Sequence, residues 1–436
     1  MDCFVGIDLG STTTKAIFLD KDARILGKGI TNSRSNYSVA CQVAKEEAEI
    51  SSRFFLLSET LKGAFTQQQI VEELMEWLSA KFLLAQYKKQ LSALKRECLF
   101  VLDSWSKHVE EKEKFNHALE KIFFKLEAES TELFQPKQKA KSDFFRDIAS
   151  SLFLRQAELI SKEQTLSFDR MVGIFDKAIL RVENQSFAKY FIEYLDFAGN
   201  EVSKLPKFKK YEKEILSAIK NAALLNFNII HTVGTGYGRL TLPFPKEQIR
   251  SEILCHGLGA HYLFPKTRTV LDIGGQDTKA IQIDFQGVVT RFQMNDRCAA
   301  GCGRYLGYIA DEMNMGVHQL GPLAQLSTKP VKINSTCTVF AGAELRERLS
   351  LGEKREDILA GLHRAIILRA MSLLARSGGV FSEFTFTGGV ARNEAATGAL
   401  AKLINENYGN ITMNISSESI YMGALGAALF AKKDNG

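Results

Sequence analysis

The chain has 436 residues, more than one hydrophobic core usually organises, so two or three folding units are expected. Its share of hydrophobic residues (45%) and of charged residues (24%) is that of an ordinary soluble protein. The net charge of +6 is scattered without a Lys/Arg block, no apolar run suggests a membrane span, and the amino terminus shows no secretion signal; we therefore expect a cytoplasmic protein with no nucleic-acid or membrane partner.

The first predicted element is a pair of strands at residues 3–20, joined by a polar turn. The first strand ends at Asp8, and Gly10 lets backbone approach a ligand closely. Asp8 is placed to hold a hydrated magnesium ion, and Lys15 adds a positive charge for phosphates. The amides that can point at phosphate oxygens belong to Ser11, Thr12 and Thr13. The alternative is a plain β-hairpin with a soluble turn.

From about Val39 to Ala222 the strand signals nearly vanish and long helical periodicities appear. Apolar residues fall on single helix faces, for example at positions 71, 74, 78 and 82 and at positions 115, 119, 122, 123 and 126. The pattern favours an α-helical insertion with its own core. A docking surface for a partner subunit is the alternative.

After residue 225 the alternation of strands and helices returns. Strands are predicted at 228–230, 268–273 and 384–387, and helices near 303–314, 339–351, 357–376, from 391 onward and at 423–428. The sequence therefore predicts a split α/β core that one large helical insert interrupts.

The segment around Asp272 repeats the design of the first hairpin. A strand delivers Asp272 to a turn, and polar residues begin the next strand. The turn residues are Gly274, Gly275 and Gln276. Two such hairpins that face one another would clamp a polyphosphate, with one carboxylate positioning magnesium and the other orienting or deprotonating water. Asp8 and Asp272 are therefore both candidate magnesium ligands. The alternative is that Asp272 only caps a turn.

A third motif follows the strand at 384–387, where Gly388 and Gly389 precede a helix and Asn393 lies close behind. Two glycines at this place allow backbone to approach adenine or ribose. The P-loop pattern is absent, and the glycines at 234, 236 and 238 lack the Rossmann spacing. The nucleotide fold is therefore predicted to be a different one.

Seven cysteines in a chain with no export signal do not indicate a disulfide framework. Cys298 and Cys337 each precede a predicted helix, where backbone amides and the helix dipole would stabilise a thiolate. An iron–sulfur cluster needs four ligands, so a second subunit would supply two more. Buried free thiols are the alternative, and Cys302 is a less favoured third ligand. The remaining cysteines, Cys3, Cys41, Cys98 and Cys255, are predicted to lie in the core.

These motifs in this order resemble the acetate and sugar kinase, heat-shock and actin superfamily, with its ribonuclease H-like fold. The runs 295–304 and 334–340 are similar to the BadF/BadG/BcrA/BcrD branch, which contains 2-hydroxyacyl-CoA dehydratase activators and benzoyl-CoA reductase ATPase subunits. The resemblance covers about residues 1–37 and 225–436. It implies a first actin-like domain at 1–37 plus 225–265, a helical insertion at 38–224, and a second actin-like domain at 266–436.

The same resemblance implies ATP, magnesium and a 4Fe–4S cluster shared between two subunits, with Cys298 and Cys337 as this chain's ligands. It places Asp8, Lys15, Asp272 and the turn glycines in the nucleotide site. Cys302 departs from the small hydroxyl residue that dehydratase activators usually carry.

The long insert and the runs 29–37 and 141–147 are similar to the larger ATPase subunit of benzoyl-CoA reductase. The resemblance therefore implies an ATPase that passes electrons from ferredoxin to aromatic ring reduction. Its implied partners are a smaller homologous ATPase subunit and two catalytic subunits. The alternatives are an activator of a 2-hydroxyacyl-CoA dehydratase, a small-molecule kinase without a cluster, and an actin-like assembly protein.

Overall fold

The computed structural model describes residues 1–33, 36–105, 109–136, 144–236, 242–295, 301–313, 315–333 and 338–434. They form two compact units, Met1–Ala48 with Phe227–Gly436, and Glu49–Asn226. The first unit contains two β-sheets and the second is helical, which confirms the predicted α/β class with a large helical portion. The predicted division of the first unit into two domains stays a prediction.

The first sheet has four strands in the order β3-β2-β1-β4. The strands are β1 (Asp2–Leu9), β2 (Thr13–Leu19), β3 (Ile25–Asn32) and β4 (Asn228–Gly236). Strands β1 to β3 form an antiparallel meander, and β4 joins β1 in parallel. The predicted strands β1 and β2 are confirmed.

The second sheet repeats this topology and adds one strand, in the order β7-β6-β5-β8-β9. The strands are β5 (Thr269–Ile273), β6 (Thr278–Ile283), β7 (Val289–Asn295), β8 (Phe384–Thr387) and β9 (Met413–Asn414). Strands β5 to β7 are antiparallel, whereas β8 lies parallel to β5. The order of connections therefore makes β1 and β5 equivalent strands.

The helices of the first unit surround these sheets. They are α8 (Glu252–Leu263), α9 (Gly303–Glu312), α10 (Val317–Gln325), α11 (Thr338–Ser350), α12 (Arg355–Ser377), α13 (Glu394–Tyr408) and α14 (Met422–Lys433). Helix α14 packs on β1, β4 and α8, so the carboxy-terminal residues belong to the layer of the first sheet. Small residues allow α14 to pack closely on β1. A methyl group at Gly6 of β1 would lie 2.1 Å from the carbonyl oxygen of Ala424 in α14.

Two of these helices differ from the sequence prediction. Helix α13 begins at Glu394 and not near residue 391, because Gly389–Arg392 forms a short 3-10 turn first. Helix α12 is long and apolar enough to span a membrane, contrary to the expectation that no such run exists. The buried share of its apolar window is 61%, so packing in the core accounts for its apolar residues.

In its described residues the helical unit contains most of α1 (Tyr37–Ala64) and six further α-helices. These are α2 (Gln68–Trp105), α3 (Val109–Leu133), α4 (Phe145–Gln164), α5 (Phe168–Glu183), α6 (Phe191–Ser203) and α7 (Glu212–Ala223). The apolar faces predicted on α2 and α3 are buried in two separate cores of this unit. The insertion therefore has cores of its own, as predicted.

Candidate functional site

The turn between β1 and β2 is held from both sides by polar contacts. Asp8 pairs with Lys15 across the hairpin, and the Lys15 ammonium lies 3.5 Å from Asp8 Oδ2. Both side chains are buried. The amide of Gly10 donates to the carbonyl oxygen of Thr13 (3.2 Å), and the hydroxyl of Ser33 donates to the carbonyl oxygen of Gly10. The first predicted phosphate turn is thus a closed, supported loop.

The turn between β5 and β6 has the same construction. Asp272 pairs with Lys279 in the same register, and Lys279 Nζ lies 3.3 Å from Asp272 Oδ2. The amide of Gly274 donates to the carbonyl oxygen of Asp277 (2.9 Å), as Gly10 does to Thr13. The structure therefore places the two Asp–Lys pairs at equivalent positions.

The tips of the two turns meet. A methyl group at Gly275 would lie 2.2 Å from the hydroxyl of Thr12 and 3.5 Å from that of Ser11. Two predicted phosphate-binding turns that come from different sheets thus face one another. This is the arrangement that clamping a polyphosphate from both sides requires.

The second hairpin carries a buried ionic cluster that the first lacks among the residues described. Lys279, 1% exposed, lies 2.8 Å from Glu252 and 2.9 Å from Asp277, in addition to Asp272. Burial lowers the pKa of Lys279, but the charges of these three carboxylates raise it well above its ordinary value. Burial raises the pKa of Asp277, even with the ammonium beside it. Lys279 is therefore a fixed cation in a site with excess carboxylate.

Asp272 is kept ionised by its surroundings. Burial would raise its pKa, but His256 and Lys279 hold that pKa well below its usual range. The hydroxyl of Thr387 donates to Asp272 Oδ1 (2.8 Å), and His256 Nδ1 lies 3.2 Å from the same oxygen. This His256 contact is an ion pair by distance, without the alignment of a hydrogen bond.

Asp8 contrasts with Asp272. Its Oδ2 faces Lys15, whereas its buried Oδ1 accepts no hydrogen bond from any residue that the structure describes. A buried carboxylate oxygen without a partner is costly unless a ligand completes it. Magnesium prefers one or two carboxylate oxygens together with water and phosphate oxygens, so this oxygen fits a magnesium ion.

The predicted adenosine segment follows β8. Gly388 has φ +87°, and a methyl group there would lie 2.3 Å from the carbonyl oxygen of Ile273, so only glycine fits. Gly389 is exposed, and a methyl group there would meet nothing within 4 Å. Asn393 caps α13, with its side-chain oxygen accepting from the amide of Ala396 (3.0 Å). Gly389 thus offers open backbone, while Asn393 caps a helix and its nucleotide contact stays a prediction.

The predicted cluster ligands Cys298 and Cys337 lie outside the described residues. Cys302 is described: it is 1% exposed and precedes the first residue of α9. Burial raises the pKa of its thiol, although backbone amides oppose the change. The cysteines predicted to be core residues, Cys3, Cys41, Cys98 and Cys255, are all buried. Within the described ranges, no three His, Cys, Asp or Glu side chains are arranged to hold a metal ion.

The site residues Asp277, Lys279 and Thr387 were not among the predicted ones, and neither were Glu252 and His256. Glu252 and His256 lie on α8, one helical turn apart, and reach Lys279 and Asp272 respectively. The available signal was an acid and a histidine at i and i+4 next to Cys255. That spacing is common on ordinary surface helices, so it indicates a site only when the partner strand is known.

Comparison with known proteins finds a family and several relatives. The model of the BadF/BadG/BcrA/BcrD ATPase family matches residues 5–431. The (R)-2-hydroxyglutaryl-CoA dehydratase activating ATPase of Acidaminococcus fermentans is 42% identical over 51% of this chain and 82% of its own length. A benzoyl-CoA reductase subunit of Thauera aromatica is 29% identical over 61% of this chain and 92% of its own length.

A solved structure has a similar fold. The crystal structure of the Acidaminococcus fermentans (R)-2-hydroxyglutaryl-CoA dehydratase component A superimposes with a TM-score of 0.52. Its sequence identity is 24%, and the match covers 100% of this chain and 99% of that one. This likeness confirms the predicted actin-like architecture.

Proposed function

The chain belongs to the BadF/BadG/BcrA/BcrD ATPase family, and on that basis we propose that it is an ATP-hydrolysing activator of a 2-hydroxyacyl-CoA dehydratase. The observation that carries the proposal is the pair of facing hairpins with Asp8 and Asp272 at equivalent positions. The higher identity to a dehydratase activator than to a benzoyl-CoA reductase component favours the activator over the reductase hypothesis.

In the proposed site Asp8 would hold magnesium through its unpartnered oxygen, and the ion would supply positive charge for the phosphates. Lys15 adds a second positive charge beside the same turn, since a methyl group at Gly10 would lie 3.0 Å from its ammonium. Amides of Ser11, Thr12 and Thr13 and of Gly274, Gly275 and Gln276 cradle the phosphates from the two sides.

Asp272 takes the other role. Its oxygens are engaged by His256, Lys279 and Thr387, so it is better suited to orient water than to ligate a metal. The water attacks the γ-phosphorus as the bond to the β-phosphate oxygen breaks, and its proton passes to a phosphate oxygen, because Asp272 with its lowered pKa is a weak base. Gly388, Gly389 and Asn393 remain the proposed contacts for adenosine.

The proposed iron–sulfur ligands stay Cys298 and Cys337, which precede α9 and α11 in sequence. When bound, the cluster supplies one-electron transfer. The two helices run side by side: a methyl group at Gly342 would lie 2.3 Å from the Tyr308 hydroxyl, and Arg346 pairs with Glu312. In each contact the two residues are 34 positions apart in sequence, and the two contacts are separated by one helical turn. The two helices are therefore parallel, and their amino-terminal ends lie side by side.

Helix α9 is also tied to the second phosphate turn. The amides of Gly303 and Arg304 donate to the carbonyl oxygens of Gly274 and Gly275, each at 2.8 Å. The hydroxyl of Thr278 donates to the carbonyl oxygen of Gly301 (2.6 Å). A nucleotide that moves this turn therefore moves the start of α9, which is how ATP would bias the segment beside the proposed cluster.

The proposal is tested by purification without oxygen, followed by iron analysis and ATPase assay. We expect iron in the wild-type protein and its loss in Cys298→Ser and in Cys337→Ser, with Cys98→Ser as the matched buried control. Cys302→Ser should also keep its iron, because a buried thiol with a raised pKa suits the core better than an iron site.

Addition of a 2-hydroxyacyl-CoA dehydratase component and a reduced low-potential donor such as ferredoxin should give ATP-dependent dehydration. A colourless, iron-free ATPase that phosphorylates a small molecule would instead support the kinase hypothesis.

The reductase hypothesis makes its own prediction. If the chain activated a benzoyl-CoA reductase core and did not activate a dehydratase, the result would support the reductase hypothesis. It would also support the partners which that hypothesis implies, a smaller ATPase subunit and two catalytic subunits. Cytoplasmic location remains part of the proposal.

A further inference from the structure

His256 lies between the two carboxylates of the candidate site. It is 5% exposed on α8, one turn after Glu252. On one side its Nδ1 is 3.2 Å from Asp272 Oδ1. Its other nitrogen, Nε2, is 3.8 Å from Glu252 Oε1, too long for a hydrogen bond.

Nε2 of His256 also faces Asp8, and the atoms around Gly423 limit the distance between the two side chains. A methyl group built on Gly423 would lie 2.9 Å from Asp8 Oδ2 and 2.9 Å from His256 Nε2. These two atoms therefore lie no more than twice that distance apart. Gly423 is in the first turn of α14, so glycine there lets the imidazole, the Asp8 carboxylate and a helix end share one small space.

The charges around His256 favour an imidazolium at this place. Three carboxylates, Glu252, Asp272 and Asp277, contact a single ammonium, that of Lys279. Burial alone would lower the pKa of His256, but the Asp272 charge outweighs it and the pKa is raised. The imidazolium offsets the excess of negative charge beside Asp272.

His256 is also not a requirement of the repeated fold. The Asp–Lys pair occurs once in each hairpin, whereas this histidine occurs once for the two hairpins and stands between them. Its placement is explained by its surroundings, because it contacts Asp272 and shares the space beside Gly423 with Asp8.

We propose that His256 is a positioning residue for ATP hydrolysis, which holds the Asp272 carboxylate through Nδ1 and sets its separation from Asp8. This inference rests on the proposed ATPase activity. A carboxylate that orients the attacking water must be placed within a fraction of an ångström, and a 1 Å error can cost about 10²-fold in rate. His256 touches neither nucleotide nor water in this scheme, so it acts through Asp272.

Three substitutions of His256 test the contributions of its two ring nitrogens separately. His256→Ala removes both, whereas the amide nitrogen of His256→Asn takes the place of Nδ1 and that of His256→Gln takes the place of Nε2. The matched control is His261→Ala on the same helix, because His261 contacts the carbonyl oxygen of Phe285 at 3.2 Å and no member of the cluster. The full chain is assayed with magnesium and ATP, and each variant's thermal unfolding is recorded.

We expect His256→Ala to lower kcat about 100-fold and to change KM for magnesium–ATP less than about threefold. His256→Asn should recover part of the lost kcat, because its amide can donate to Asp272 although it carries no charge, and His256→Gln should not. The inference is overturned if Ala retains kcat within threefold, if the loss lies in KM, or if Asn is no better than Ala.

A second variant leaves the histidine in place. Gly423→Ala suits a helix but inserts a methyl group between Asp8 and His256, so we expect kcat to fall at least tenfold while the chain stays folded at the assay temperature. Unchanged kcat would show that the spacing of the two carboxylates does not matter. A wild-type chain that does not hydrolyse ATP would overturn the proposed function together with this inference; an active wild type with an unaffected His256→Ala overturns the inference alone.

Discussion

Asp8 and Asp272 hold the same position in two hairpins, each facing a lysine seven residues later, but their carboxylates have different surroundings. Asp272 is engaged on both oxygens, whereas Asp8 Oδ1 has no hydrogen-bond partner within the described part of the chain. One fold, used twice, therefore presents one carboxylate with an oxygen that the described residues leave unpartnered and one carboxylate fixed by cations. Replacing Asp8 and replacing Asp272 should therefore change different kinetic properties of the ATPase.

Asp8→Asn should weaken the binding of magnesium to the proposed site. An amide oxygen carries no formal charge and binds the metal less well, so the magnesium concentration for half-maximal ATPase should rise at least about tenfold. A titration of ATPase rate with magnesium at fixed ATP measures this. An unchanged midpoint would remove Asp8 from the metal site.

Asp272→Asn should act on kcat. We expect a loss of about 10²-fold, because a 1 Å error in placing the group that orients the attacking water can cost about that factor. Binding of a non-hydrolysable ATP analogue, measured by calorimetry, should change little. A large loss of analogue affinity with retained kcat would reverse the two roles.

Gly388→Ala and Gly389→Ala form a matched pair. Gly388→Ala should lower the free energy of unfolding by about 1–3 kcal/mol, because φ is +87° and the methyl group would meet the carbonyl oxygen of Ile273. Gly389→Ala should leave stability within about 0.5 kcal/mol, since its methyl group meets no atom. If Gly389 lies against adenosine, its variant should lose nucleotide affinity instead. Denaturant unfolding and nucleotide binding of both variants check this.

The elements that could be predicted are those whose residues carry their own signal. The strands before Asp8 and Asp272 are apolar runs that end at glycine turns, and the helical insert has long single-face periodicities. Strand β3 is not among the predicted strands, because it holds two glycines and a lysine in eight residues and forms by pairing with β2. Its partner, not its own composition, makes it a strand.

The candidate site likewise contains residues that the sequence could predict and residues that it could not. Asp8, Lys15 and Asp272 could be chosen from local motifs, whereas Glu252 and His256 reach the site only because α8 packs beside the second sheet. Local sequence does not encode that contact. Nor could the motifs alone tell the two aspartates apart, since the difference lies in residues far away in the chain.

Asp357 should contribute stability that depends on pH. The hydroxyl of Ser327 donates to its Oδ1 (2.7 Å), as do the amides of Thr328 and Lys329, and these hydrogen bonds lower the pKa of Asp357. A lowered pKa means that this stability is present above the unfolded value of 3.8 and is lost as the pH falls through the folded value.

Asp357→Asn has no charge to lose at this position. The wild type should therefore unfold at a higher temperature than Asp357→Asn near neutral pH, and the difference should shrink as the pH falls below about 4. Unfolding temperatures recorded from about pH 3 to about pH 7 measure the difference. A gap that stays constant or grows toward acid pH would contradict the assignment.

Phe153→Ala should destabilise the helical unit while leaving the nucleotide site intact. Phe153 is fully buried in one of that unit's own cores and stacks on Phe175 with ring centroids 4.5 Å apart. Removing the ring should cost about 3–5 kcal/mol in the unfolding of this unit. Phe124→Ala is the matched control, because Phe124 is 75% exposed and its loss should change stability by no more than about 0.5 kcal/mol. Calorimetry should show an unfolding transition that moves in Phe153→Ala alone, and the ATPase rate measured below that transition should equal that of the wild type. A matching loss of ATPase activity would show that the helical unit is needed for catalysis as well as for its own fold.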